Sequence, residues 1–535
     1  MSGTEARVYL WWQKGVVYHV YPRSFQDTTG NGIGDLEGIR RRLDHLEWLG
    51  VDAVWISPVY PSPMADFGYD ISDYTAIDPL FGTMEDMDRL VTEAHRRGLK
   101  VIMDLVPNHS SDQHPWFLES RSSRDNPKRD WYLWADPAPD GGPPNNWLSV
   151  FGGSAWEWDE ATGQYYYHAF LREQPDLNWR NPEVQDAMLD VMRFWLDRGV
   201  DGFRVDVMWH MVKDHRLRDN PPNPDYSKDQ PPYNRLLPVY STDQPEVHDV
   251  VSMMRHLIDE YDERVLIGEI YLPIGKLVAY YGEDGSGAHL PFNFQLVELP
   301  WDAGKIYAAI TEYEASLPPG GWPNWVLGNH DKSRVASRAG VEQARVAAML
   351  LLTLRGTPTL YFGDEIGMRD GLVPPDRVRD PQALNLGDPS FSRDPQRVPM
   401  CWDDSEHAGF TTGQPWLPAS PDTNEVNVEA QRDDPDSILS LHRRLLELRR
   451  QEPALQIGDY APAGLDGNAF AFVREHADRC FLTAVNLGEA PARLRAARPT
   501  RGTVVLATDR RREGERVEGD VQVAGNQGLL VRLDS

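Results

Sequence analysis

A chain of 535 residues with 41% hydrophobic, 10% aromatic and 25% charged side chains has the composition of a soluble globular protein, long enough for a closed α/β barrel of about 250 residues with additions. Its formal charge of −28 at pH 7 repels phosphate backbones and anionic lipid, which sets nucleic acid and membrane surfaces aside as partners and favours a neutral ligand. Cys401 and Cys480 fit no CxxC pair, zinc site or disulfide framework, and with neither a basic-apolar leader nor a run of about eighteen apolar residues the expected location is cytoplasmic.

The first β-rich run, GVVYHVYPRSF (15–25), leads into DTTGNGIGD (27–35), where Asp27, Thr29, Asn31 and Asp35 alternate with glycines. That stretch reads either as an oxygen cage for a hard cation or as a tight turn whose Asp35 caps the helix that follows. Helical segments at 36–50 and 84–98, each closed by Gly, separate this run from VDAVWISPV (51–59) and LKVIMDLVP (99–107). Apolar runs separated by helices indicate parallel strands buried on both faces. The unit recurs as GVDGFRVDV (199–207), RVLIGEIYL (264–272), a weaker PFNFQLVE (291–298), NWVLGNHD (324–331) and GTPTLYFGDEIG (356–367). Eight strands is the number of the (β/α)8 TIM barrel.

The aromatic, Gly/Pro-rich stretch after strand three is too long for a βα loop and predicts an inserted subdomain over 108–180. The polar segment 221–249 predicts a lid over the barrel mouth. Near 461 the pattern changes to short strands without helices, so the barrel is assigned 1–107 and 181–460, with a C-terminal antiparallel β-sandwich over 461–535.

Acidic residues close several of the expected strands: Asp104 with Asn108 and His109, Arg204 with Asp206, Glu269, and His330 with Asp331. An acid inside an apolar strand is costly unless a partner or a function holds it there. In a barrel the C-terminal strand ends converge, so acids distant along the chain can share one pocket. Clustered carboxylates with Arg and His suit glycosidic cleavage, in which one carboxylate attacks the anomeric carbon and a protonated carboxyl serves the leaving oxygen. Arg204 beside Asp206 is expected to keep that carboxylate ionised, while an apolar setting holds Glu269 protonated.

DLVPNH, GFRVD, IGEIY and GNHD resemble the four ordered sequence regions of glycoside hydrolase family 13, the α-amylase superfamily. QPDLN (174–178), YPRSF (21–25) and DFGYDISDY (66–74) are similar to its α-glucosidase and oligo-1,6-glucosidase branch. The resemblance implies a retaining double displacement with Asp206 as nucleophile, Glu269 as general acid and base, and Asp331 as transition-state stabiliser. It places Asp66, Tyr69, His109, Arg204 and His330 around the non-reducing glucose, adds Arg397 from RDPQRVPM (393–400), and makes Phe151 and Phe170 apolar walls. Val207, directly after the nucleophile, resembles the enzymes that accept α-1,6 bonds. For the loop at 27–35 it implies a structural calcium or magnesium ion held by Asp27, Thr29, Asn31, the Ile33 carbonyl and Asp35, weakened because Thr29 and Asn31 replace Asn and Asp. No cofactor is expected for the chemistry, and no feature specifies an oligomeric state.

The implied activity is an exo-acting α-glucosidase on short neutral α-glucosides, α-1,6 or α-1,4 linked, with sucrose and trehalose also open. Two other readings stand beside it: a glucosyltransferase or sucrose- or trehalose-directed isomerase sharing the glucosyl intermediate, and an inactive relative acting as a binding subunit.

Overall fold

The computed structural model describes residues 8–495 and 500–534. Residues 1–7, 496–499 and 535, which fall within the expected barrel and sandwich segments, lie outside the described residues. Eight parallel strands form one sheet: β1 (Val17–Val20), β2 (Ala53–Ile56), β3 (Lys100–Leu105), β4 (Gly202–Val205), β5 (Val265–Ile270), β6 (Leu290–Asn293), β7 (Asn324–Val326) and β8 (Thr357–Tyr361). Their order is β7-β8-β1-β2-β3-β4-β5-β6, the circular order of a barrel. At the seam between β6 and β7 a side chain stands in for the backbone ladder: the Asn293 N–H donates to Asn324 Oδ1 at 2.9 Å, and Asn324 Nδ2 donates to the Pro291 carbonyl. Apart from Lys100 every strand residue is buried, as parallel strands covered on both faces require.

Three expected elements differ in detail. The helix at 36–50 is two, Leu36–Arg41 and Leu43–Leu49, separated at Arg42, whose φ and ψ of −96° and 4° leave the helical region. Asp35 caps the first through the Gly38 N–H, and Gly50, with φ 96°, ends the second. The apolar run 291–298 stays extended only to Asn293, because the Asn293 side chain accepts the Gln295 N–H and turns Gln295–Glu298 into helix. The C-terminal sheet begins earlier than expected, at Asp459, with an edge strand whose register shifts between Pro462 and Gly464.

That C-terminal unit pairs a six-stranded antiparallel sheet with a two-stranded one, Ala492–Leu494 against Val521–Val523. Its strand AFAF shows the period of two that builds a sandwich: Ala469 and Ala471 pack between the sheets, while Phe470 and Phe472 face the main core of the barrel. Small residues inside let the sheets approach, and large ones outside dock the sandwich. After β3 the chain forms a three-stranded antiparallel sheet, Trp134–Ala135, Gln164–Tyr167 and Trp156–Asp159, closed by Trp147, Trp156 and Tyr167.

The loop at 27–35 is a hydrogen-bonded turn. Asp27 Oδ1 accepts the Thr29 and Gly30 N–H groups and the Thr29 hydroxyl, and Oδ2 accepts the Gly32 N–H and the Thr411 hydroxyl. Asp35 accepts from Thr28 and Gly38, and the exposed Asn31 accepts the Ile33 N–H. Asp27, Asn31 and Asp35 thus hold the turn through the loop's own donors, while the Thr29 hydroxyl donates to Asp27. Gly30 and Gly32, with φ of 78° and 85°, supply the left-handed positions it needs. Asp27→Ala would orphan five donors and is expected to cost about 3 kcal/mol. If these hydrogen bonds alone hold the loop, the loss, read by thermal unfolding, should be equal with excess calcium and with a chelator; a loss confined to the calcium sample would show that a bound cation holds it.

Candidate active site

The site starts from one guanidinium. Arg204 on β4 is fully buried, and its Nη1 lies 2.8 Å from Asp104 Oδ1 on β3 and 2.7 Å from Asp206 Oδ1 just past the end of β4. Nη2 stands 2.8 Å from Glu269 Oε2 on β5, an ion pair out of line for a hydrogen bond. The Trp55 ring lies 4.9 Å from the guanidinium, and its indole N–H, like the Tyr69 hydroxyl, donates to Asp104 Oδ2. Asp104 is thereby saturated and acts as the inner support of Arg204. Glu269 Oε2 accepts the Val207 N–H at 2.8 Å.

A second charged group forms across the barrel. Beyond β7, Asp331 Oδ1 meets Arg397 Nη2 at 2.6 Å and Arg393 Nη1 at 3.3 Å, while Arg397 Nε donates to the His330 carbonyl. Arg393 also reaches Asp66 at 2.8 Å and Asp380 at 2.7 Å, so one side chain ties three carboxylates together. The His330 ring lies nearly parallel to Tyr69 and Tyr21, at 5.3 and 5.5 Å. Between the two groups opens a cavity of about 690 Å³.

Of the residues singled out from the sequence, Asp206, Glu269, Asp331, Asp66, Tyr69, His109, His330, Phe151, Phe170 and Val207 line that cavity. Arg204 and Arg397 stand behind it, each gripping residues that do line it. Phe151 and Phe170 pack edge to face at 5.5 Å, with the Arg393 guanidinium 4.7 Å from the Phe151 ring.

The α-amylase catalytic domain model matches residues 19–458, most of the chain, from the end of β1 through β8. The chain belongs to the α-amylase family. Among curated family members it is 42% identical over 496 residues to a probable α-glucosidase of Rhizobium meliloti, with 90% of each chain covered. It is also 42% identical over 488 residues to an oligo-1,6-glucosidase of Parageobacillus thermoglucosidasius, covering 84% of this chain and 85% of the relative. Of solved structures, an α-glucosyl transfer enzyme, XgtA, superposes with a TM-score of 0.93 at 42% identity, covering 98% of this chain and all of the other. The trehalulose synthase MutB superposes at 0.89 with 34% identity, covering 98% and 100%.

Two residues of this α-amylase family site escaped the sequence reading. Arg393, and not Arg397 four residues on, is the guanidinium in the cavity wall. Both belong to RDPQRVPM, and the signal was the first arginine of that motif, yet only the short helical turn Asp394–Arg397 decides which one faces inward. Gln174 of QPDLN lines the cavity too, with Nε2 3.2 Å from His109 Nε2 and 3.3 Å from the Tyr69 carbonyl.

Burial raises the Asp206 pKa well above the carboxylate range, and neighbouring Glu269 adds to this against the pull of Arg204. Burial and the neighbouring carboxylates thus work against the ionised form of Asp206 that Arg204 favours. Burial would raise Asp331 as well, but His330, Arg393 and Arg397 outweigh it and hold that carboxyl far below its usual range. Asp331 is thus a fixed negative charge.

Burial lowers His330 to about 3 and His109 to about 4, so both are neutral hydrogen-bonding groups across the working pH range. An unfolded histidine binds its proton near about 6.5, whereas folded His330 waits until about 3, so acidification through that window favours the unfolded chain. For activity, His330→Gln is expected to lower kcat/KM by about a hundredfold without moving the acid limb of the pH profile. A shifted limb would make His330 a titrating catalyst.

Proposed function

We propose that this protein is a retaining, exo-acting α-glucosidase that releases glucose from the non-reducing end of short α-glucosides. The observation that carries the reading is the shared guanidinium: Arg204 touches both Asp206 and Glu269 at 2.7 and 2.8 Å. Two carboxyl groups held on one guanidinium stand close together, which suits the short separation, about 5 Å, of the retaining geometry. Asp206 attacks the anomeric carbon as Glu269 gives its proton to the departing glycosidic oxygen, and a covalent glucosyl ester forms on Asp206. Water then yields a proton to Glu269, its oxygen bonds to the anomeric carbon, and Asp206 leaves with retention of configuration. Asp331, held ionised, stabilises the positive charge that develops on the sugar ring.

The Asp66–Arg393 pair supports exo action, since an ion pair across the end of the cavity stops a longer chain from running through. Val207, in the cavity wall, carries the linkage proposal: isomaltose should be cleaved at a rate comparable to maltose or faster. A panel of isomaltose, maltose, sucrose, trehalose and starch, with free glucose followed over time, tests both proposals. Rapid starch cleavage would overturn exo action on short substrates, and a maltose-only profile would overturn the linkage assignment.

The neighbours named as a glucosyl transfer enzyme and a trehalulose synthase favour a second reading, transfer of the same Asp206-bound glucosyl group to a sugar acceptor. Transfer products in that panel measure its share. The complete acidic trio argues against an inactive binding subunit. Among the described residues no helix is long and apolar enough to cross a membrane; we place the enzyme in the cytoplasm on its cysteine usage and absence of disulfides among the described residues.

A further inference from the structure

We infer that the backbone of Val207 is a positioning device for Glu269, held under strain by an interlock between the turn after β4 and the glycine that precedes Glu269 on β5. The inference rests on the acid and base role proposed above for Glu269. Among the described residues Val207 is the one β-branched residue with positive φ, at φ 38° and ψ 47°. A β-branched side chain clashes with its own backbone there, so such a residue persists only where its surroundings over-determine it.

The surroundings do so from three sides. The Asp206 N–H donates to the Leu105 carbonyl at 2.8 Å and anchors the chain just before Val207. The His210 N–H donates back to the Val207 carbonyl at 2.8 Å and closes the helical turn Met208–His210 just after it. Met208, fully buried, fills the space above Gly268, where an added Cβ would meet its Sδ at 2.5 Å and its Cε at 2.8 Å. Gly268 is therefore required for room. It admits Met208, Met208 seats the turn, and the turn aims the Val207 N–H at Oε2 of the next residue along β5, Glu269.

This arrangement fixes which oxygen does the chemistry. Oε2 takes the Val207 N–H and faces the Arg204 guanidinium, a donor and a positive charge that together disfavour a proton on that atom. No hydrogen bond from the described residues engages Oε1, and Glu269 lines the cavity, so Oε1 carries the proton passed to the leaving oxygen. Val207 acts through Glu269, and linkage preference and acid positioning meet at one residue.

Leaving-group dependence tests this. A sugar leaving group needs the Glu269 proton at C–O cleavage; α-glucosyl fluoride departs as fluoride without it, and kcat/KM reports only steps up to that cleavage. Gly268→Ala, which drives a methyl into Met208, is expected to lower kcat/KM on maltose by about a hundredfold and on α-glucosyl fluoride by less than about fivefold, within the range that general acid catalysis supplies. The double variant Gly268→Ala/Met208→Ala, which restores the room, should recover most of the maltose activity. Equal losses on both substrates, or an unimpaired single variant, would overturn the inference. Should Gly268→Ala fail to fold, Val207→Gly frees φ while keeping the amide, and an unchanged ratio between the two substrates would overturn it equally. Glu269→Gln is the control: if it lacks the asymmetry, the acid role itself fails, whereas if it shows the asymmetry and the other variants do not, only the positioning inference fails.

Discussion

Replacing Asp206 by asparagine is expected to lower kcat on maltose by about 10⁴-fold or more while leaving the melting temperature within a few degrees of wild type or above it. An amide cannot form the glucosyl ester, so the first displacement loses its nucleophile. The fold should tolerate the change because three acids, Asp104, Asp206 and Glu269, crowd one buried guanidinium. Removing one of them relieves like-charge repulsion and still leaves Arg204 paired with the other two. The variant keeps its side-chain volume and its oxygen facing Arg204 Nη1. A large fall in stability alongside the loss of activity would mean that Asp206 is chiefly structural.

Arg393→Ala carries the second large effect, a loss of about a thousandfold in kcat/KM. This side chain joins Asp66, Asp331 and Asp380, and breaking a buried pair from one side costs about 3–5 kcal/mol because the stranded charges stay buried. Burial already raises the Asp66 pKa against the pull of Arg393 and Arg397, so without Arg393 it should protonate more readily and lose its charge in the cavity end. Asp331 keeps Arg397 and stays ionised, which directs the defect to substrate positioning. Arg393→Lys is expected to rescue little, since an ammonium cannot present the planar fork that serves three carboxylates at once. A loss below about tenfold would show that Arg397, the residue singled out from the sequence, bears the subsite alone.

The contrast between these two residues shows where the sequence could be read and where it could not. Asp206, Glu269 and Asp331 were legible because an acid at the end of an apolar run is energetically anomalous, and a barrel brings such strand ends to one face. Arg393 was not, because the segment 379–397 is a loop with short helical turns: no period of 2 or 3.6 orders its side chains, and two arginines compete. Backbone devices left even less trace. The left-handed conformation of Val207 is invisible in a residue type that avoids it, and Gly268 reads as ordinary strand until Met208 is seen above it. The loop at 27–35 shows the same limit from the other side. Its alternating oxygens suggest a cation, and nothing in the sequence signals that Thr411, nearly four hundred residues away, completes the hydrogen-bond set of Asp27. The edge strand Asp459–Asp466 was hidden by Pro462 and Gly464, residues that interrupt a strand pattern and are tolerated at an edge or a bulge.

Fold and catalysis meet in a covalent intermediate on one named oxygen-bearing side chain, and that is the claim to test most directly. Incubation with 5-fluoro-α-glucosyl fluoride, whose ring fluorine slows both displacements while fluoride leaves readily, should trap the glucosyl ester, and peptide mass mapping then locates it. A single fluoroglucosyl adduct on Asp206, absent from Asp206→Asn, is the predicted result. An adduct on Glu269 or Asp331, or turnover of α-glucosides to β-glucose with no adduct, would contradict the account.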